Sequence, residues 1–219
     1  MGFRVKGEKK MKKYKLLDTD TKMFLGRTLF RIQALTSFGN VEEGDLGGYI
    51  EREENLAHRG DAWIYDDAYV CGNAYVYDNA RVYDNARVYG NARVYGNAQA
   101  CDNAQVYDSA RVCDNAQIYD NAQVFHDSWV RGAAQVCGDA YIHDKADILC
   151  VSGIGSFYRH TTVCMTEDKK LLVVCGCFSG TLSEFEAKVK KTHGDSKYAL
   201  EYQLFIELVK LHFNMKKKK

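Results

Sequence analysis

The chain has 219 residues, 46% of them hydrophobic, and a formal net charge of +1, which suits one or two domains with a sizeable core. No apolar run approaches membrane-spanning length, and the eight cysteines form no CxxC pair and no Cys/His cluster with zinc spacing, so neither a membrane span nor a metal site is expected. The charge balance hides a segregation: residues 61–150 hold thirteen Asp and no Glu against five Arg and one Lys, about seven net negative charges. The first sixteen residues hold seven Lys/Arg against one Glu, and the chain ends in Lys216–Lys219. Basic ends on an acidic body argue against direct nucleic-acid binding. Free thiols and no apolar leader point to the cytoplasm.

Taken in order, residues 1–13 read as a disordered basic lead-in, with Met11 a second candidate start. Residues 14–60 read as an N-terminal β cap, with short strands at Tyr14–Leu17, Lys22–Leu25 and Thr28–Leu35. Gly44, Gly47 and Gly48 then punctuate the approach to Ile50, which fits the first aliphatic position of the repeat that follows.

From Asp61 to Cys150 one six-residue phrase repeats without a break, from DAWIYD, DAYVCG and NAYVYD to DAYIHD and KADILC, fifteen units in all. A six-residue period is the signature of a parallel β-helix. The second position is small (Ala62 through Ala146, with Ser128 the exception) and the fourth aliphatic (Ile64 through Ile148, with Ala100 the exception). Two inward residues separated by one outward residue is strand alternation. The Gly/Asp and Asn/Asp residues between them tolerate left-handed backbone at a corner.

The pairs Val76/Ala80, Val82/Ala86 and Val88/Ala92 show the spacing of the hexapeptide repeat, and the segment resembles left-handed β-helix proteins. That resemblance implies three hexads per triangular turn, about five turns, and a left-handed coil. Stacked neighbours would then lie eighteen residues apart, a separation that no two of the repeat cysteines show, so no ladder disulfide is expected. The phrases GDLGGYIE, NARVYG and CGCFSGTLSEFEAKVKKTHGD look like those of repeat proteins carried by bacteriophages and prophages.

Residues 151–219 read as a hairpin (Phe157–Met165 with Leu171–Phe178) followed by two helices and a basic tail. Thr181 and Glu184 match a capping box for the first helix, which should stop near Gly194. Leu200, Leu204, Leu208 and Leu211 recur at helical spacing on the second, with Phe205 and Val209 alongside. This apolar face is expected to bury against the end of the coil or against a partner chain.

With eighteen residues per turn, Asp66, Asp84, Asp102 and Asp120 fall one above another on one corner. Carboxylates about 4.8 Å apart repel by roughly 1 kcal/mol in a water-like dielectric. Their corner role is one explanation; an acidic edge that meets a basic protein groove is the other. Tyr89, Tyr107 and Phe125 stack in a second row, with Tyr69, Tyr141 and His143 beside it, either as a stiffening ladder or as an interface. Arg81, Arg87 and Arg93 are placed to stack on such rings. Hexapeptide-repeat acyltransferases, which the resemblance brings in, use an acyl-CoA donor and a histidine base, often from a loop interrupting the repeat. No insertion interrupts these hexads, and His126 and His143 are the candidates for that role. The reading favoured is a non-enzymatic binding protein of phage type, with no cofactor. It would act in the bacterial cytoplasm as an inhibitor or decoy of a host protein, such as a nucleic-acid-handling defence nuclease, in an anti-CRISPR-like or other anti-defence role. The alternatives are the acyltransferase and a self-associating, homo-oligomeric structural protein.

Overall fold

A small and an aliphatic inward residue need only two residues of extended backbone per side, and the strands are that short. In the computed structural model, which describes residues 12–214, fourteen two-residue strands, β4 to β17, run from Trp63–Ile64 to Tyr141–Ile142. All but the last three pair in parallel with the strand eighteen residues on: Val70 with Val88, Val88 with Val106, Val94 with Val112, Val82 with Ala100. Three narrow sheets thus wrap one buried column in about five turns of parallel β-solenoid. Its aliphatic and alanine positions are inaccessible to solvent, and Ala100 sits between Val82 and Ile118.

From Asp66 to Gly138 each corner turns on one left-handed residue, the Gly or Asp that ends the hexad, or His126 in its place. Asp66, Asp78, Asp84, Asp102, Asp108, Asp114, Asp120 and His126 all have φ between 50° and 61°. The Asn that follows does different work. Its side-chain amide bonds to the Asn one turn on, as in Asn79–Asn97–Asn115 (3.2 and 3.1 Å).

The coil begins before Asp61. Strand β3 (Leu46–Ile50) pairs in parallel with Tyr69–Val70, and Leu56 bridges Val76, so Ile50 and Leu56 already belong to the aliphatic column. These first steps are twenty residues instead of eighteen, because eight residues separate Leu56 from Ile64 where the repeat uses six. Gly48 enters so closely that a Cβ there would lie 2.4 Å from the Ala68 carbonyl oxygen, which only glycine permits. Strands β1 (Tyr14–Phe24) and β2 (Arg27–Ala34) form an antiparallel hairpin that extends the same sheet through β3. The first two predicted strands are one, with an irregularity between Leu17 and Thr21.

Lys13, which the sequence assigns to the lead-in, is buried. Its ammonium donates to the Gly60 and Ala62 carbonyls (3.1 and 2.7 Å) at the start of the coil, and burial pulls its pKa down to about 8. Asn55 serves a second face: fully buried, it donates to the Gly72 and Ala74 carbonyls (3.1 and 2.9 Å) and accepts from the Arg52 amide. Lys12 of the lead-in is exposed and paired with Glu53, and residues 1–11 and 215–219 lie outside the described residues.

At the other end the fifteenth hexad leaves the coil. Lys145–Asp147 make a 3-10 turn, Ala146 is exposed, and Ile148 opens strand β18 (Ile148–Ile154). With β19 (Arg159–Met165), β20 (Leu171–Cys175) and β21 (Phe178–Thr181) it forms a four-stranded antiparallel sheet. The two predicted strands are the middle pair; the alternation of β18 fits a hexad equally well and hid it. One face of this sheet brings Ile148, Cys164 and Leu172 against the end of the solenoid core. The other brings Val163, Leu171, Val173 and Cys175 against helices α1 (Leu182–His193) and α2 (Lys197–His212). The helices therefore pack on the sheet, which lies between them and the coil. Helix α1 has both arms of the Thr181/Glu184 capping box and ends at Gly194, φ 55°.

The column tolerates no unpaired charge. Val94→Asp is expected to abolish the cooperative melt followed by circular dichroism, because an ionised carboxylate has no partner there. Asn55→Ala should cost about 2–4 kcal/mol by orphaning buried carbonyls. A wild-type-like melt of Val94→Asp would reverse the inward and outward registers.

Candidate functional site

The Asp corner is built as its spacing implies, and its carboxylates are used by the fold. The amide of each left-handed residue donates to the carboxylate one turn earlier: Asp84 to Asp66 (3.3 Å), Asp102 to Asp84 (3.3 Å), Asp120 to Asp102 (3.1 Å) and Gly138 to Asp120 (2.9 Å). The same bond recurs on another corner, from Gly96 to Asp78 (3.2 Å) and from Gly132 to Asp114 (2.9 Å). Asp therefore serves the turn on both of these corners. What distinguishes this edge is four such residues in line with no glycine between them. Across the triangle, the opposite face carries Arg93, Arg111 and Arg131 on its exposed outward positions. The solenoid is acidic along one edge and basic on the face opposite.

The aromatic row is a continuous stack. Tyr89 and Tyr107 lie 4.9 Å apart at 2°, Tyr107 and Phe125 4.8 Å apart at 6°, and Phe125 meets Tyr141 and His143 edge-on. Phe24 from the cap hairpin extends it, packed on Tyr69 and Tyr89. Arg87 stacks over Tyr69 and Phe24 instead of over its own Tyr89. The rings are half-buried or, for Phe125, buried, and their hydroxyls are engaged: Tyr89 donates to Gln105 (3.3 Å) and Tyr107 to Gln123 (3.1 Å). Burial and the neighbouring tyrosines push the Tyr107 phenol up to about 12. This geometry matches the ladder reading, with ring edges outermost.

The two candidate histidines stack on each other, centroids 4.5 Å apart and planes at 17°, and neither ring is hydrogen-bonded to a carboxylate among the described residues. His160, past the repeat, bonds Ser152 at 2.7 Å, and both residues are exposed. Burial pushes the Cys71 and Cys101 thiols up to about 11, so these groups stay protonated at neutral pH.

The leucine face of α2 is the feature that spacing misassigned. Ala199, Tyr202, Phe205, Ile206 and Val209 fill the core, while Leu200, Leu204, Leu208 and Leu211 are 57, 65, 49 and 73% exposed. Both faces of the helix are apolar, and spacing alone cannot say which one its own chain covers. The larger buried side chains of the second face were the available signal.

The repeat is similar to the YdcK β-solenoid repeat, whose family model matches residues 74–88, 86–102 and 116–132. No curated protein matches the chain. The likeness concerns the coil alone.

The corner chemistry separates two substitutions. Replacing Asp84, Asp102 and Asp120 together by Asn keeps an acceptor oxygen and removes three like charges, so the melting temperature should hold or rise slightly, most at low salt. Replacing them by Ala removes the acceptor and with it the short polar side chain that makes left-handed backbone tolerable, for a cost of about 1–2 kcal/mol per residue. Equal losses for both sets would show that charge, not the hydrogen bond, sustains the corner.

Proposed function

We propose that this is a non-catalytic binding protein that acts on a host protein in the bacterial cytoplasm, as an inhibitor or decoy. The exposed leucine face of α2 carries the reading. Leucines at i, i+4, i+8 and i+11 have the spacing of a seam between two helices, on a helix whose other side is already filled. An apolar strip of this kind is a protein-interaction surface more often than a neutral one. The occupant of the strip is an amphipathic helix of the partner. Charge says which partner: the solenoid carries about seven net negative charges, with four Asp in line along the Asp66–Asp120 edge, and so favours a basic protein. Proteins that handle nucleic acids, defence nucleases included, present such surfaces. The opposed Arg face would orient the encounter.

The test uses the purified full chain, with Leu204→Ser/Leu208→Ser beside wild type. Both leucines are exposed, so the melting temperature should not move. A basic host protein identified from lysate and then purified should bind wild type with at least tenfold higher affinity than the variant, and the binding should weaken with salt. A wild-type dimer by light scattering, dissociated by the same variant, would move the reading to self-association. Saturable micromolar binding of acetyl-CoA would replace it with the acyltransferase.

A further inference from the structure

The phrase CGCFSGTLSEFEAKVKKTHGD contributes little to the solenoid; it builds a cavity of about 270 Å³ between the β18–β19 turn, strands β20 and β21, and both helices. Its apolar wall is aromatic. Phe178 and Phe185 pack at 5.4 Å, Phe185 meets Tyr202 edge-on at 5.5 Å, and His193 stacks on Tyr202 at 5.6 Å. Phe157 hangs over the mouth, 74% exposed.

The charged groups on this wall are of one sign. Arg159 and Lys188 line the cavity and, among the described residues, no Asp or Glu does. Arg159 is half-buried, with its guanidinium 5.0 Å from the Phe157 ring, and has no ion pair and no hydrogen-bond partner among the described residues. It lies flat over the Gly176 backbone, where a Cβ would come within 2.1 Å of Nη1. A guanidinium carries five donors in a fixed fork that matches the geometry of a carboxylate or phosphate. Here the chain supplies rings and a second cation instead. In a solenoid with thirteen Asp, carboxylates are not scarce; they are absent from this wall.

We propose that this cavity binds a small carboxylate with an aromatic body: the ring lies among Phe157, Phe178 and Phe185, and the carboxylate takes the Arg159 fork with Lys188 beside it. The volume suits one ring and a short acid arm and falls below that of most drug-sized sites. Fork-to-carboxylate pairing fixes the orientation, and a ring without the acid leaves the guanidinium unpaired. The site is independent of the leucine face of α2, which lies on the other side of that helix.

The probe is phenylacetate, titrated by calorimetry into the full chain, with phenylacetamide as the neutral control. Saturable binding at submillimolar Kd is expected, with the amide at least tenfold weaker. Arg159→Gln should remove that difference, and Lys188→Gln, on the exposed side of α1, should weaken phenylacetate severalfold with no change in melting temperature. Phe157→Ser reports on the ring subsite without touching the core. Amide NMR shifts should fall on Gly176, Thr192 and His193. An acetylated peptide ending in Phe with a free carboxylate that binds more than tenfold tighter than phenylacetate would assign the cavity to a chain terminus instead of a free acid. No binding of phenylacetate at millimolar concentration, or binding that Arg159→Gln and Lys188→Gln both leave unchanged, would overturn the proposal.

Discussion

The hydrogen bond from alternate amides of each hexad to the carbonyl one turn further on is the interaction on which the rest of this molecule depends. Tyr69 donates to Ala86, Arg87 to Ala104 and Gln105 to Ala122, all near 2.9–3.0 Å, and the pattern is the same on all three faces. Such a ladder has a direction. The first turn is left with carbonyls that no earlier amide reaches, and the last with amides that no later carbonyl reaches. The two ends therefore need opposite chemistry. At the start the chain brings donors, the Lys13 ammonium and the Asn55 amide. At the finish it brings acceptors. The Asp147 carboxylate takes the amides of His143 and Asp144 (3.0 and 2.8 Å), and the Thr162 hydroxyl takes that of Gln135 (3.0 Å). Sheet and hairpin then cover what those groups have satisfied.

This division explains what was legible in the residues alone. The coil was readable because six-residue repetition forces inward and outward positions to recur, and even the stacked rows, such as Asp84 over Asp66 and Tyr107 over Tyr89, follow by counting eighteen. The capping box at Thr181 and the stop at Gly194 were readable for the same reason: they are local. The ends were not. Lys13 looks like part of a charged tail, since nothing in a run of lysines announces that one of them will meet two carbonyls nearly fifty residues away. Ile148 and Cys150 look like one more hexad because an antiparallel strand and a hexad share the period of two. The two apolar sides of α2 differ by which partner arrives first, a tertiary fact.

The candidate surfaces divide along similar lines. Rows generated by the repeat are first of all internal: the Asp carboxylates hold amides, and Tyr hydroxyls hold glutamines. Function assigned to them must use what is left over, the outer oxygens and ring edges. The terminal unit, free of the repeat, is where groups stand without an internal purpose. Its four exposed leucines and the unpaired Arg159 are both of that kind.

One feature of the coil bears on how such a molecule can change. The turns between the two ends share one eighteen-residue frame, so inserting or deleting one whole turn alters the separation of the two caps by about 4.8 Å and nothing in their orientation. Gain or loss of a single hexad would instead swing the terminal sheet by about one third of a revolution around the axis, as one side of a triangular coil is skipped. The rod is a graduated ruler whose marks are whole turns. Duplication within so uniform a stretch offers a route to new reach at constant aim, with both caps left as they are.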